Sequence, residues 1–433
     1  MNSVSLVSGP VPAAALVLGG LSLAWLVWGG RRHLLTVVPL AAVAAAVLTL
    51  ILGVLAETVF YWWDASLPRS LYLYAAAGIL AVILAVARLR TADRARSRVL
   101  ALTAAALAVA AVAQAANTAY RQYPTLGSLV SPPAPEASGL PERSPDDAAG
   151  LPDTTEANWM PPPDLPAGGK LYSADIPGST SGYASDPALV YLPPAYLADP
   201  PAVNLPVLVL IHGKPGSPSD WLIGGQLLDI LDAFAAAHRG LAPVVVMPDA
   251  SNAGNSNWPL CLDSAVSSSA TYLALDVPAW VQQNLASGLR GGRQWAVAGY
   301  SYGGTCALQL AVNFPDAYPT FIDISGAAEP GLPQGRDALI NTYFNGNSAA
   351  FNNQNALDRL QRFSFPDSAG IVVVGAEDPV FAPEGEAVFA AARAAGMDVT
   401  LQTLPGGHSW QVWQAGLAEN LDWLCRRLGI LSR

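Results

Sequence analysis

The chain has 433 residues, 52% of them hydrophobic and only 12% charged, with a net charge of −10 and a mean hydropathy of +0.33. So apolar a composition excludes a disordered chain and a single ordinary soluble domain. The charge is unevenly divided: residues 1–120 hold eight Arg against three acids, a net of +5, and the remainder carries −15. With no run of clustered Lys and Arg to neutralise phosphates, nucleic acid is not an expected partner, which leaves membrane and small-molecule chemistry.

Four apolar stretches come first: Val11 to Trp28, Leu34 to Ala56, Leu71 to Ala87 and Val99 to Ala116. Each approaches the ~20 residues that a helix needs to cross the hydrocarbon core of a bilayer, and each is apolar on all sides instead of striped. Only Glu57, Asp64 and Asp93 supply negative charge nearby. Trp25, Trp28, Tyr61, Trp62, Trp63, Tyr72, Tyr74 and Tyr120 cluster near the ends of the stretches, as an interfacial belt does. Arg31 and Arg32 occupy the first connection, and Arg88, Arg90, Arg94, Arg96 and Arg98 the third. The positive-inside rule therefore puts these two loops in the cytoplasm and both chain ends outside. The uncharged leader before the first stretch, and the lack of a separate cleavage site, speak against a removed signal peptide. The expectation is a four-helix transmembrane anchor over 1–120, which makes the membrane a partner and the rest of the chain extracytoplasmic.

Residues 121–167 are rich in Pro, Ser, Ala and acids, too poor in apolar surface to offset ordering entropy, and read as a spacer with no fixed fold. From 168 to 433 short β-rich runs alternate with helical ones. Strands are expected at Pro206–Ile211, Pro243–Met247, Gln294–Ala298, Thr320–Ile324, Gly370–Val374 and Val399–Leu404. Helices are expected at Leu227–His238, Thr271–Leu285, Tyr302–Asn313, Glu384–Ala395 and Trp410–Leu428. Continuous apolar strands between helices imply a mostly parallel sheet covered on both faces, a three-layer α/β domain. Three cysteines, Cys261, Cys306 and Cys425, are too few for a disulfide scaffold. They permit one bridge whose pairing stays open.

The chemistry is concentrated in Gly299-Tyr300-Ser301-Tyr302-Gly303. An apolar strand enters it and an Ala-rich helix leaves it, the setting in which two glycines permit a strained turn that presents a serine hydroxyl. A serine needs a base. Of the four histidines, His33 lies at a membrane boundary, His212 in a strand-end His-Gly, and His238 at the end of an amphipathic helix. His408 remains, in the loop between the last strand and the last helix. The acid belongs at the end of the strand between serine and histidine, where Ala376-Glu377-Asp378-Pro379 offers Asp378, with Glu377 as the alternative and Asp323 a remote third. The oxyanion donors would be the amides of Tyr302, opening the helix, and Lys214, in the loop after the first central strand. No nucleotide fingerprint or His-Glu-x-x-His appears, so no cofactor and no metal are expected.

With serine, acid, histidine and His-Gly loop in this order, residues 171–429 resemble the α/β-hydrolase superfamily, and within it the esterase family that includes esterase D and the secreted mycolyltransferases. The elbow around Ser301, the helix segment Leu275 to Trp280 and His408-Ser409-Trp410-Gln411-Val412-Trp413 carry the likeness. It implies an α/β-hydrolase fold and acyl-ester chemistry, with Trp410 at a sugar site. His212 and Pro215 replace the Asp and Arg with which the mycolyltransferases hold trehalose, and the helical anchor is foreign to those secreted enzymes. The expected function is a membrane-anchored serine esterase acting through an acyl enzyme on a small-molecule or lipid ester. Acyl transfer to an envelope sugar or lipid, with Trp221, Trp258 and Trp410 lining an acceptor site, is the nearest alternative. A non-catalytic binding module on a hydrolase scaffold is the second.

Overall fold

The structure, a computed structural model, describes residues 4–59, 69–136, 139–251 and 258–432. The chain divides into two compact units, Met1–Pro132 and Pro133–Arg433. Tyr61, Trp62, Trp63 and Asp64, and with them most of the second connection, lie outside the described residues.

In the first unit, α1 (Pro10–Val27), α2 (Val38–Val54), α3 (Arg69–Thr91) and α4 (Ala95–Tyr120) are joined by short connections, with π-helical turns flanking α2. These four helices, α2 counted with its flanking turns, are long and apolar enough to cross a membrane. Small residues pack inside: Ala41, Ala81, Ala85, Ala104 and Ala108 are buried with Leu26 and Leu84. Leu18, Leu21, Leu40, Leu50 and Leu73 point outward. A bundle stabilised by burial from water would reverse that arrangement. Arg88 closes the end of α1, donating to the carbonyls of Trp25 (2.7 Å), Leu26 (3.3 Å) and Trp28.

The second unit is built on one eight-stranded sheet: β1 (Lys170–Ala174), β2 (Ala188–Leu192), β3 (Val207–Ile211), β4 (Val244–Met247), β5 (Trp295–Tyr300), β6 (Thr320–Ile324), β7 (Ala369–Gly375) and β8 (Asp398–Leu404). The spatial order is β1-β2-β4-β3-β5-β6-β7-β8. β1, β2 and β4 pair antiparallel, and every pair from β4 through β3 to β8 is parallel. Strands β3 to β7 are buried along their whole length. That burial is why they read as unbroken apolar runs. Helices α5 (Leu227–Ala237), α6 (Val277–Leu285), α7 (Tyr302–Asn313), α8 (Phe381–Ala394), α9 (Trp410–Ala418) and α10 (Leu421–Arg427) cover the faces, with one large apolar core on each side of the sheet.

The expected elements recur within a residue or two at most ends, with three differences. β1 and β2 escape the periodicity reading because each is only five residues long, and Lys170 and Ser173 interrupt β1. The last helix breaks between Ala418 and Leu421, where the Asn420 side chain donates to Gly416 O (2.8 Å) and to Gln402 (2.6 Å) instead of leaving the helix regular. Of the segment 121–167 read as a spacer, residues 133–136 and 139–167 belong to the second unit and run along it. Trp159 is 7% exposed within the core and donates to Arg239 O at 2.9 Å. Arg143 lies over the Tyr196 ring and donates to the Tyr196 carbonyl at 2.6 Å. A few anchoring side chains thus order a segment whose average composition argues for disorder.

Candidate active site

The parallel strands deliver their C-terminal ends to one edge, and the loops leaving β3, β5, β7 and β8 meet there. Between β5 and α7 the chain turns at Ser301, whose backbone has φ 52° and ψ −122°. Such a positive φ is strained for a side chain with a Cβ and is held by its surroundings. The Ser301 amide donates to Ile324 O on β6 at 2.8 Å. A Cβ on Gly303 would lie 2.3 Å from Ile211 O, and one on Gly299 2.3 Å from Gly303 O. Gly303 is therefore needed for the turn to close against β3, and Gly299 for the helix start to fold back over the strand end.

Ser301 Oγ lies 2.9 Å from His408 Nε2, and His408 Nδ1 lies 2.9 Å from Asp378 Oδ2. Asp378 is buried and also accepts from the amides of Phe381 (3.0 Å) and Val380 (3.2 Å). Burial alone would raise its carboxyl, but the hydrogen bond from His408 and those amides together hold it below the ordinary carboxylate range. Glu377 is exposed, and no hydrogen bond or ion pair connects it with His408. Two rings that the sequence reading overlooked fix the imidazole. Phe381 stacks on it with centroids 4.0 Å apart and 18° between planes, and Trp413 meets it edge-on at 5.0 Å. The signal for Phe381 was its place three residues after Asp378, in the first turn of α8.

His212 follows β3 directly and is fully buried. Its Nε2 lies 3.3 Å from the amide of Ala250, which donates to it, so the ring proton belongs on Nδ1, 2.8 Å from Gly213 O. Asp249 Oδ1 stands 3.6 Å from Nε2, outside hydrogen-bond reach. Because carbonyl and amide of one trans peptide point in opposite directions, pinning Gly213 O fixes where the Lys214 amide points. Tyr302 opens α7, and its hydroxyl donates to Ala250 O at 3.1 Å.

Of the three tryptophans expected at an acceptor site, Trp258 alone is near the surface here. It is half-buried, edge-on to Tyr302 (5.2 Å) and His212 (6.1 Å), with Lys214 Nζ 5.6 Å from its ring centre. Trp221 and Trp410 are corrected: they are 0% and 1% exposed. They pack on each other and on Tyr300, with Trp413 against Trp410, so protein already covers their faces. Their hydrophobic area is worth more in the core than at a rim. A disulfide joins Cys261 to Cys306, and Cys425 is free and buried.

Asp323 ends β6 directly behind the elbow and is fully buried. Its Oδ1 accepts from Gly326 N at 2.9 Å, and Oδ2 has no partner among the described residues. Burial pushes its carboxyl up to about 7, the Gly326 amide opposing and Glu384 reinforcing the rise. An unfolded Asp ionises near ~3.9. Between these values the folded state keeps a proton that the unfolded state has lost, so stability falls as pH rises through the window and the loss is complete above it. Asp323→Asn is therefore expected to be more stable than wild type at pH 8, by on the order of 4 kcal/mol at most. Its Tm should also change less between pH 5 and pH 8. Parallel Tm profiles of the two proteins would overturn this account of Asp323.

The family model "Putative esterase" matches residues 185–424, more than half of the chain. An uncharacterized protein of Corynebacterium glutamicum is 33% identical over 396 residues, covering 90% of this chain and 89% of its own length. Among solved structures, a ferulic acid esterase superposes with a TM-score of 0.52 at 18% identity, over 60% of this chain and 98% of the other. An S-formylglutathione hydrolase from Agrobacterium tumefaciens does so with 0.51 at 19%, over 61% and 97%. These likenesses agree with the strand order in giving the second unit an α/β-hydrolase fold. The chain belongs to the esterase family of α/β-hydrolases.

Proposed function

We propose that this protein is a membrane-anchored serine esterase whose hydrolase domain works outside the cytoplasm on carboxylic esters of small molecules or lipids. Ser301 Oγ attacks the ester carbonyl while His408 Nε2 takes its proton. The amides of Tyr302 and Lys214 stabilise the oxyanion, and His408 returns the proton to the leaving alkoxide. Water, deprotonated by the same imidazole, then attacks the acyl enzyme, and the carboxylic acid and the free serine are released. Asp378 holds the imidazole with its proton on Nδ1 and offsets the positive charge that develops.

The observation that carries this reading is the unbroken relay from Asp378 through His408 to Ser301, 2.9 Å at each step. Fluorophosphonate labelling of the purified protein tests it: wild type should gain one phosphonyl group and Ser301→Ala none, whereas equal labelling would remove the assignment. Anchoring through residues 1–120 is supported by the outward-facing leucines of α1 to α4 and by the Arg-rich first and third connections. A disulfide in the hydrolase unit suits an oxidising compartment. The buried positions of Trp221 and Trp410 favour hydrolysis over transfer to a sugar, since they leave Trp258 alone of the three to meet an acceptor.

In this scheme His212 is a positioning residue. His212→Ala frees Gly213 O, and with it the direction of the Lys214 amide. The expected result is a ~10- to 100-fold fall in kcat with KM nearly unchanged, below the loss for deleting an oxyanion donor outright. A rise in KM at constant kcat would point to ground-state binding instead.

A further inference from the structure

At the end of the sheet remote from Ser301, a cavity of about 440 Å³ is lined by Arg290, Arg293, Arg426 and Arg427 together with Asp153 and Thr155. Pro206 and Gln294, which precede β3 and β5, also border it, so it adjoins the N-terminal ends of the strands. Ser301, Asp378 and His408 follow the C-terminal ends. This basin is therefore separate from the ester site.

Residues 121–433 carry fourteen Lys and Arg against a net charge of −15, and four of those fourteen converge on this one cavity. Asp153 is the carboxylate among the lining residues. It is engaged by Arg290 Nε at 3.1 Å and by Asn204 at 2.6 Å. Arg426 reaches the carbonyl of Ser432 and lies 3.9 Å from Asp422, while Arg427 donates to Asp367 O at 2.6 Å. The Arg293 side chain has no hydrogen-bond or ion-pair partner among the described residues. Each guanidinium presents five N–H donors, so donors greatly outnumber the acceptors within reach. Gathering like charges raises the free energy of the empty site, and a multivalent anion removes that cost. Planar guanidinium forks fit the paired oxygens of a phosphate group.

We propose that this basin binds a phosphate-bearing anion, supplied by a soluble phosphate ester or diphosphate or by a phospholipid headgroup. The proposal is independent of the esterase reading.

The test uses the full chain in phosphatidylcholine nanodiscs, titrated calorimetrically with inorganic pyrophosphate at constant ionic strength. Wild type should bind, and Arg293→Gln/Arg427→Gln should bind at least tenfold more weakly. Arg293→Lys/Arg427→Lys, which keeps charge but loses the forks, should fall between. Arg393→Gln, an exposed arginine elsewhere on the domain, should match wild type, and all variants should stay cooperatively folded and keep ester turnover. A second arm replaces part of the lipid by phosphatidylglycerol without pyrophosphate. If that lipid raises the Tm of wild type but not of the Gln variant, and blocks pyrophosphate, the source is a headgroup; if it does neither while pyrophosphate binds, the source is soluble. Absence of any response to either anion, or equal responses in wild type and the Gln variant, would overturn the proposal.

Discussion

Ser301→Ala is expected to cut kcat for a short-chain aryl ester by roughly 10⁶-fold, with Tm almost unchanged. The size follows from how the hydroxyl is held. Among the described residues its Oγ makes one hydrogen bond, to His408 Nε2 at 2.9 Å, and it projects from a turn set by Gly299 and Gly303 and not by the side chain itself. Removing it leaves the elbow and the amides of Tyr302 and Lys214 in place. The residual rate should still exceed the uncatalysed one by about 10³-fold, from oxyanion stabilisation and binding alone. Initial rates with an aryl acetate, read beside melting curves, decide the matter. A variant keeping more than a tenth of wild-type turnover would mean that another nucleophile does the work.

The second large effect is expected of Asp378→Asn. The exchange preserves shape but substitutes an amide for a carboxylate that accepts from His408 Nδ1 and from two backbone amides. Those amides keep the side-chain oxygen of Asn turned toward them, which leaves its NH₂ facing His408. The imidazole then favours the tautomer with the proton on Nε2, and that nitrogen can no longer take a proton from Ser301. A fall of about 10⁴-fold in kcat is expected, comparable to loss of the buried acid in serine hydrolases. The carboxyl lies below its ordinary range when folded, so the stability linked to its ionisation is present above the unfolded value near ~3.9 and is lost as pH falls through the folded value. Wild type should therefore lose Tm more steeply than Asp378→Asn below about pH 4, whereas steeper loss in the variant would contradict the shift.

Much of this arrangement was legible because each signal was local. The elbow needs Gly-x-Ser-x-Gly between a strand and a helix, and both neighbours read clearly as an apolar run and an Ala-rich one. His408 emerged by elimination among four histidines. Asp378 followed from chain order, and His408 lies within hydrogen-bond distance of both Asp378 and Ser301. Features made by residues far apart in the chain were not legible. Trp221 and Trp410 look alike as rim or core residues until Tyr300 and Trp413 are seen against them. The pairing of Cys261 with Cys306 rests on a loop returning to α7. Arg290 with Arg293 and Arg426 with Arg427 are unremarkable pairs in sequence, separated by more than a hundred positions, and only the sheet brings them to one cavity. Trp159 and Arg143 are single anchors diluted by proline, which is why composition misjudged their segment.

The bond between Cys261 and Cys306 has one more consequence. Cys306 lies in the second turn of the helix that follows Ser301, and Cys261 lies three residues beyond Trp258, whose carbonyl is also held by Tyr343 at 2.7 Å. The Trp258 segment is thereby tied covalently to the helix that leaves Ser301, so that neither shifts without the other. In the proposed esterase, discrimination among esters is therefore expected to work by refusal at a stiff rim, with ill-fitting molecules turned away at entry, and not by closure around whatever has docked.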